Sequence, residues 1–280
     1  MIPVSTILAC VFTLFVSLIL PVLILIVFAV KNKDNGIWSA WFIGAAGFIV
    51  PQLLIRLPIL SLLSAIDGFA SFMSSHLLVY ALFLAFTAGL FELAGRYAAA
   101  KLLTKKLNFK RSLVAGLGHG GIEAMAIVGI SFVNNLAYIF LINSGSFDAV
   151  LVETAAAGID TAQLEAIRES FLTTSPVLFL LAGYERLLTM VFHAAMSMIV
   201  CYAVHSGKPR KGLLVCLALH TLLDCGAGIT LLINQGTLSQ ALGYTIIYTI
   251  MTAVAILSLL ILKHIRTRWP DPAPIEGGTL

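Results

Sequence analysis

The chain has 280 residues, of which 60% are hydrophobic and 11% charged, against about 25% charged in an ordinary soluble domain. Its 17 Lys and Arg and 13 Asp and Glu are too few to coat a water-facing surface, which excludes a soluble globule. The net charge of +4 is scattered in small clusters between apolar runs, which speaks for membrane orientation and against nucleic-acid binding.

Apolar runs that are unbroken rather than alternating favour helices over a barrel, because a helix satisfies its own backbone in lipid. About 20 apolar residues cross a bilayer, and seven stretches meet that length: 5–30, 37–60, 72–103, 112–142, 176–205, 212–234 and 238–262. The predicted fold is all-α, a polytopic transmembrane bundle of about seven spans forming one domain over 1–268. The first stretch lacks a basic n-region and a small-residue cleavage site and is too long for a signal peptide, so it reads as a span. The second is interrupted by Pro51, Arg56 and Pro58, and 61–67 reads as a kinked or re-entrant continuation with room for an eighth short segment. Cys10, Cys201, Cys216 and Cys225 sit inside apolar runs without CxxC or CxxxC spacing and read as packing residues.

Basic and acidic connections alternate. Lys31 and Lys33 follow the first span, Asp67 lies between the second and third, and Lys101, Lys105, Lys106, Lys110 and Arg111 follow the third. The connection after the fourth carries Asp148, Glu153, Asp160, Glu165 and Glu169 against Arg168; Lys208, Arg210 and Lys211 follow the fifth, and Lys263, Arg266 and Arg268 the last. The positive-inside rule then puts the N-terminus outside and the C-terminus in the cytoplasm. The outer loop 145–175 is the sizeable extramembrane piece; within it Leu164, Ile167 and Phe171 fall on one side of a short interfacial helix, or of a solvated loop with incidental periodicity. The tail 269–280, with three prolines and two glycines, is expected to be disordered.

Ionisable groups inside spans cost roughly 2.5–3.5 kcal/mol each on insertion scales, so each needs a partner or a function. Arg56, Glu92, Arg96, His119, Glu123, Glu185, Arg186, His193, His220 and Asp224 all lie within spans. Glu92 and Arg96, His119 and Glu123, and His220 and Asp224 are each four apart, hence on one helix face. Measured from the basic boundary at ~1.5 Å per residue, Glu92, His119 and His220 share a depth of roughly 12–14 Å. Glu123, His193 and Asp224 follow at roughly 18–20 Å. Four helices thus deliver carboxylates and imidazoles to nearly one layer, the arrangement of a polar site in a bundle core.

Each group also has a structural reading. Glu92 with Arg96 would serve as an internal salt bridge, the glycines around His119 as a close helix crossing, His193 as a core histidine, and Glu185 with Arg186 as a tie between helices. His220 with Asp224 is the pair such readings explain least, since a carboxylate that orients an imidazole is a recurrent catalytic device. Arg56 reads as structural or interfacial.

At these residues the chain resembles the YhfC family of glutamic-type intramembrane proteases, distant relatives of the CAAX-protease and bacteriocin-processing superfamily and of the PrsW proteases. The resemblance covers nearly the whole chain and rests on Phe91-Glu92-Leu93-Ala94-Gly95-Arg96-Tyr97, Gly118-His119-Gly120-Gly121-Ile122-Glu123, Glu185-Arg186 through His193, and His220-Thr221-Leu222-Leu223-Asp224. It implies that Glu92 is the glutamate of a first motif, His119 and Glu123 a second, and His220 with Asp224 the last, lining an intramembrane cavity. The superfamily's usual glutamate pair is reduced here to Glu92, flanked by Phe91 and Leu93.

The function expected is hydrolysis of a peptide bond in a membrane-embedded or membrane-anchored substrate, by a multi-pass protein of a bacterial plasma membrane and without a cofactor. Glu92, helped by His119 or Glu123, would activate water; His193 or His220 would polarise the carbonyl or protonate the leaving amine; Asp224 would orient His220, and Arg96 would hold Glu92. The nearest alternative is a zinc-dependent protease, since three histidines and two carboxylates at one depth suit a metal, although no HExxH or HxxEH motif is present. Further alternatives are a proton-coupled transporter and a noncatalytic binding or immunity protein that kept the cavity.

Overall fold

The computed structural model describes residues 1–32 and 36–269; the expected disorder of the tail concerns residues that lie, from 270 onward, outside those described. Among the described residues the fold is helical throughout, without strands. Ten helices follow in chain order: α1 (Val4–Lys31), α2 (Gly36–Ser64), α3 (Asp67–Ser75), α4 (Leu77–Leu102), α5 (Phe109–Ser144), α6 (Ser146–Ala156), α7 (Ala162–Thr173), α8 (Pro176–His205), α9 (Pro209–Asn234) and α10 (Gln240–Arg268). Seven of them, α1, α2, α4, α5, α8, α9 and α10, are long and apolar enough to cross a bilayer.

The helix ends follow the sequence's punctuation. Gly145, Gly158 and Gly207 take positive φ at the ends of α5, α6 and α8, a conformation that costs glycine nothing. Pro209 opens α9, where its missing N–H has no partner to lose, and Ser239 caps α10 by accepting from the Leu242 N–H. The third span starts at Leu77 rather than 72, because Asp67–Ser75 forms the separate helix α3 and His76 leaves helical geometry between the two. Residues 57–64, beyond Pro51 and Arg56, continue α2 as an ordinary helix.

Three spans carry π-helical turns: Phe15–Ile19 in α1, Ile49–Arg56 in α2 and Ala124–Gly129 in α5. In α2 the physical reason is Pro51, which offers no N–H to the helical ladder and so widens the turn.

The chain divides into two compact units, Met1–Leu23 with Ala124–Leu187, and Ile24–Glu123 with Leu188–Leu280. The core of the first unit gathers Ile2, Cys10, Phe132, Ile139 and Phe171. Phe171 is buried and Leu164 and Ile167 half-buried, so the periodicity of 162–173 is that of a helix with a packed side. Within this unit Glu185 and Arg186 hydrogen-bond to each other, and Thr13 donates to the Phe179 carbonyl at 2.6 Å.

The second unit packs α2 against α4 and the first half of α5, and α4 against α9. Its buried stripe on α4 reads Ala81, Ala85, Ala88, Gly89, Glu92, Gly95, Arg96, Ala99, a helical period made of small residues that admits close neighbours around two charged ones. A Cβ at Gly95 would fall on the Gly47 carbonyl of α2 and 2.7 Å from Pro51 Cγ, and one at Gly118 would meet the Trp41 backbone. Gly95→Ala is therefore expected to cost about 1–3 kcal/mol by overpacking, measurable as a lower Tm in detergent. Cys201 and Cys216 lie in the unit's main core beside Phe192, Met196 and Met198, unlinked, as packing residues. Trp269 stacks on His205 at 4.5 Å, so the first residue of the expected tail is ordered.

Candidate active site

All seven sequence-predicted site residues belong to the second unit and meet there. The centre is the Glu92 carboxylate. Its Oε2 lies 3.0 Å from Arg96 Nη2, one helical turn along α4. His119 Nε2 from α5 lies 3.1 Å away, His220 Nε2 from α9 2.9 Å, and His193 Nδ1 from α8 3.7 Å. Three imidazole nitrogens and a guanidinium therefore converge on one carboxylate oxygen.

The outward-facing nitrogens of two of these rings meet further carboxylates. His193 Nε2 stands 2.6 Å from Glu123 Oε2, and His220 Nδ1 3.1 Å from Asp224 Oδ2. Arg96 Nη2 also reaches His193 Nδ1 at 2.5 Å. A guanidinium only donates, so a neutral His193 accepts there through Nδ1 and carries its ring proton on Nε2, the nitrogen beside Glu123. Sequence spacing places His119 and Glu123 on one face, and they act on different partners: His119 on Glu92, Glu123 on His193.

Packing holds the rings in place. Phe48 meets the His119 ring edge-on at 5.5 Å, His119 stacks on His193 at 5.4 Å, and Phe192 lies edge-on to both His193 and His220. A Cβ at Gly120 would come within 2.8 Å of His193 Cβ, so this glycine lets α8 bring His193 down to the layer. Six of the seven residues are buried; the Asp224 side chain keeps 32% of its exposure and is the member that reaches the surface.

Glu92, His119 and His193 present one ligand atom each, all within 4.8 Å of one another. Ligands about 2.0–2.1 Å from a tetrahedral zinc ion lie about 3.3 Å apart. The 3.1 Å and 3.7 Å separations of Glu92 from His119 and His193 bracket that figure. The donor chemistry also fits, with two imidazoles and one carboxylate, once Arg96 Nη2 gives up the single Nδ1 lone pair of His193 that it holds at 2.5 Å. Glu123 on the far nitrogen of His193 is the carboxylate that orients a ligating imidazole.

One participant was not expected from sequence. Gln52, buried in the wide turn of α2, donates from Nε2 to Glu92 Oε1 at 3.3 Å. The signal was the neighbouring Pro51 and the irregularity it forces on the second span. Arg56 serves the frame, donating from Nη2 to the Leu84 carbonyl at 2.8 Å and from Nε to Thr87 at 3.1 Å.

The arrangement concentrates acid, base and ligand groups where lipid cannot reach. The sequence model of the YhfC intramembrane metalloprotease family matches residues 16–249, a stretch that contains all seven site residues and Gln52. The "Uncharacterized membrane protein YhfC" of Bacillus subtilis (strain 168) is 29% identical over 242 residues, covering 86% of this chain and 90% of that protein. No solved structure matches the chain. The chain is a multi-pass membrane protein and an intramembrane protease, and it belongs to the YhfC intramembrane metalloprotease family.

Proposed function

We propose that the Glu92 cluster is the catalytic centre of a zinc-dependent peptidase that hydrolyses a peptide bond of a membrane-embedded or membrane-anchored substrate. The observation that carries this reading is the convergence of His119 Nε2, His220 Nε2 and His193 Nδ1 on one oxygen of Glu92, with carboxylates behind two of the rings. Glu92, His119 and His193 would hold the ion. When bound, zinc polarises a carbonyl as a Lewis acid and acidifies water toward neutrality.

The chain's own groups do the rest. Arg96 balances the Glu92 charge and holds one carboxylate oxygen toward the histidines. Glu123 fixes the ring of His193 so that Nδ1 faces the centre. His220 spans from Glu92 to Asp224, so this pair holds a proton beside the centre and delivers it to the leaving amine. The membrane orientation that goes with this reading has the N-terminus outside and the basic connections in the cytoplasm.

The test is metal analysis joined to cleavage. Purified protein is expected to carry close to one zinc, to lose cleavage of a membrane-anchored reporter peptide when a chelator strips it, and to regain cleavage on zinc addition. Glu123→Gln and Asp224→Asn are expected to lower cleavage about 10–100-fold by releasing the rings they orient, Glu123→Gln with weaker zinc retention as well.

A second reading is favoured by the single carboxylate at the centre of the cluster: Glu92 itself activates water, in a glutamic-type hydrolysis without metal. Cleavage that persists in chelated, zinc-free protein and vanishes in Glu92→Gln would select it.

A further inference from the structure

Gln52 has a second end. Its Nε2 faces Glu92 Oε1, and because an ionised carboxylate accepts and does not donate, the amide nitrogen has to be the end that faces it. The amide oxygen is then the other end, and it is buried with no hydrogen-bond partner. Gln52 as a whole is 7% exposed. Arg96, on the same carboxylate, likewise keeps its buried Nε and Nη1 without a partner. One carboxylate is thus bordered by an unpaired acceptor and unpaired donors.

Buried polar groups are almost always paired, and those that are not call for an explanation. A transmembrane substrate supplies one. In lipid a helix keeps every N–H and C=O bonded within itself, so a peptide bond becomes reachable only when the helix unwinds and frees those groups where no water satisfies them. A receiving site for such a peptide needs an acceptor for the freed N–H and donors for the freed C=O.

The position of Gln52 suits that task. Pro51 and the wide turn Ile49–Arg56 carry it out of the regular helix, and Gly47 and Gly95 let this turn lie directly against α4 beside Glu92. Beyond it, residues 57–64 of α2 and the helix α3 contribute no buried residue, so a segment descending along α2 meets little covering structure before Gln52.

We infer that Gln52 is a substrate-binding residue of the peptidase, accepting through its amide oxygen the N–H of the scissile peptide bond. Holding Glu92 and receiving that N–H are then one function, because the same planar amide sets the distance between carboxylate and substrate. This rests on the peptidase reading above and adds the group that recognises an unwound peptide.

The test compares two membrane-anchored reporters that differ only in the scissile link, an amide in one and an ester in the other, cleaved by full-length protein in lipid nanodiscs with spontaneous ester hydrolysis subtracted. The ester has no N–H for Gln52 to accept. Gln52→Met is expected to lower kcat/KM for both reporters by releasing Glu92, and to lower it roughly 10-fold or more further for the amide than for the ester, with zinc content measured on the same preparations. Equal losses on both reporters, or no loss on the amide, overturn the inference. Should Gln52→Met misfold, Gln52→Glu keeps an acceptor oxygen and is expected to retain the wild-type amide-to-ester ratio while both rates fall; a collapsed ratio overturns it equally. If wild-type protein cleaves neither reporter, the peptidase reading fails and this inference with it, whereas a cleaving wild type with equal Gln52→Met losses removes this inference alone.

Discussion

Glu92→Gln is expected to reduce peptide cleavage by about a thousandfold or more. The carboxylate works because both of its oxygens accept. Oε1 takes the Gln52 amide, while Oε2 faces Arg96, His119 and His220. A glutamine has one acceptor oxygen and one donor nitrogen. With its oxygen toward the histidines it turns an NH2 on the Gln52 NH2; with its oxygen toward Gln52 it turns an NH2 on the guanidinium. Neither orientation satisfies the site, and the lost carboxylate also removes one member of the Glu92, His119 and His193 donor set. Steady-state cleavage, zinc stoichiometry and thermal unfolding on one preparation check this. Cleavage within tenfold of wild type would remove Glu92 from the chemistry.

The second large effect concerns stability. Arg96→Met is expected to destabilise the fold by about 3–5 kcal/mol, the range for breaking a buried ion pair by removing one partner. Arg96 and Glu92 have side-chain exposures of 0% and 4%, so water does not replace the guanidinium, and methionine fills its volume without its charge. The same change takes the donor away from His193 Nδ1 and frees that ring to turn. Arg96→Lys keeps the charge as a point without the planar fork, so it is expected to recover part of the stability but not the joint hold on Glu92 and His193. Denaturant unfolding in detergent measures both variants. A loss below about 1 kcal/mol for Arg96→Met would show that the pair is not the counterion arrangement described.

Much of this site was legible before any coordinates. Counting residues from the basic boundaries placed Glu92, His119 and His220 at one depth, and they meet at 2.9–3.1 Å. The count works because a spanning helix converts sequence position into depth at a fixed rise. It gives depth without azimuth, which is why it could not tell that Glu123 turns to His193 rather than remaining with His119. Azimuth depends on the small-residue crossings at Gly95, Gly118 and Gly120, and no pattern within one helix states which neighbour a glycine admits. Gln52 escaped for a related reason. Neutral residues in spans carry no insertion penalty large enough to stand out, and the proline beside it reads as disruption until the wide turn it causes is seen to aim a side chain. The seven spans themselves needed only apolar length, and the misplaced start of the third arose because Phe72 and Met73 at the end of α3 extend the apolar run, and only the break at His76 separates them from the span.

The wide turns in α1, α2 and α5 bear on how this protein tolerates length changes. A π-helical turn holds one residue more than an α-turn, and each residue rotates the following helix by about 100°. Each such turn is therefore a stored insertion, and removing one residue from 49–56 would let α2 close into an ordinary helix. The half-span beyond the cut would then keep its faces, whereas a one-residue deletion in a regular stretch of the same helix would swing everything beyond it by about a third of a revolution and carry lipid-facing side chains inward. In this molecule the damage of a one-residue deletion is set by whether it falls inside a wide turn or outside one, rather than by which residue is lost.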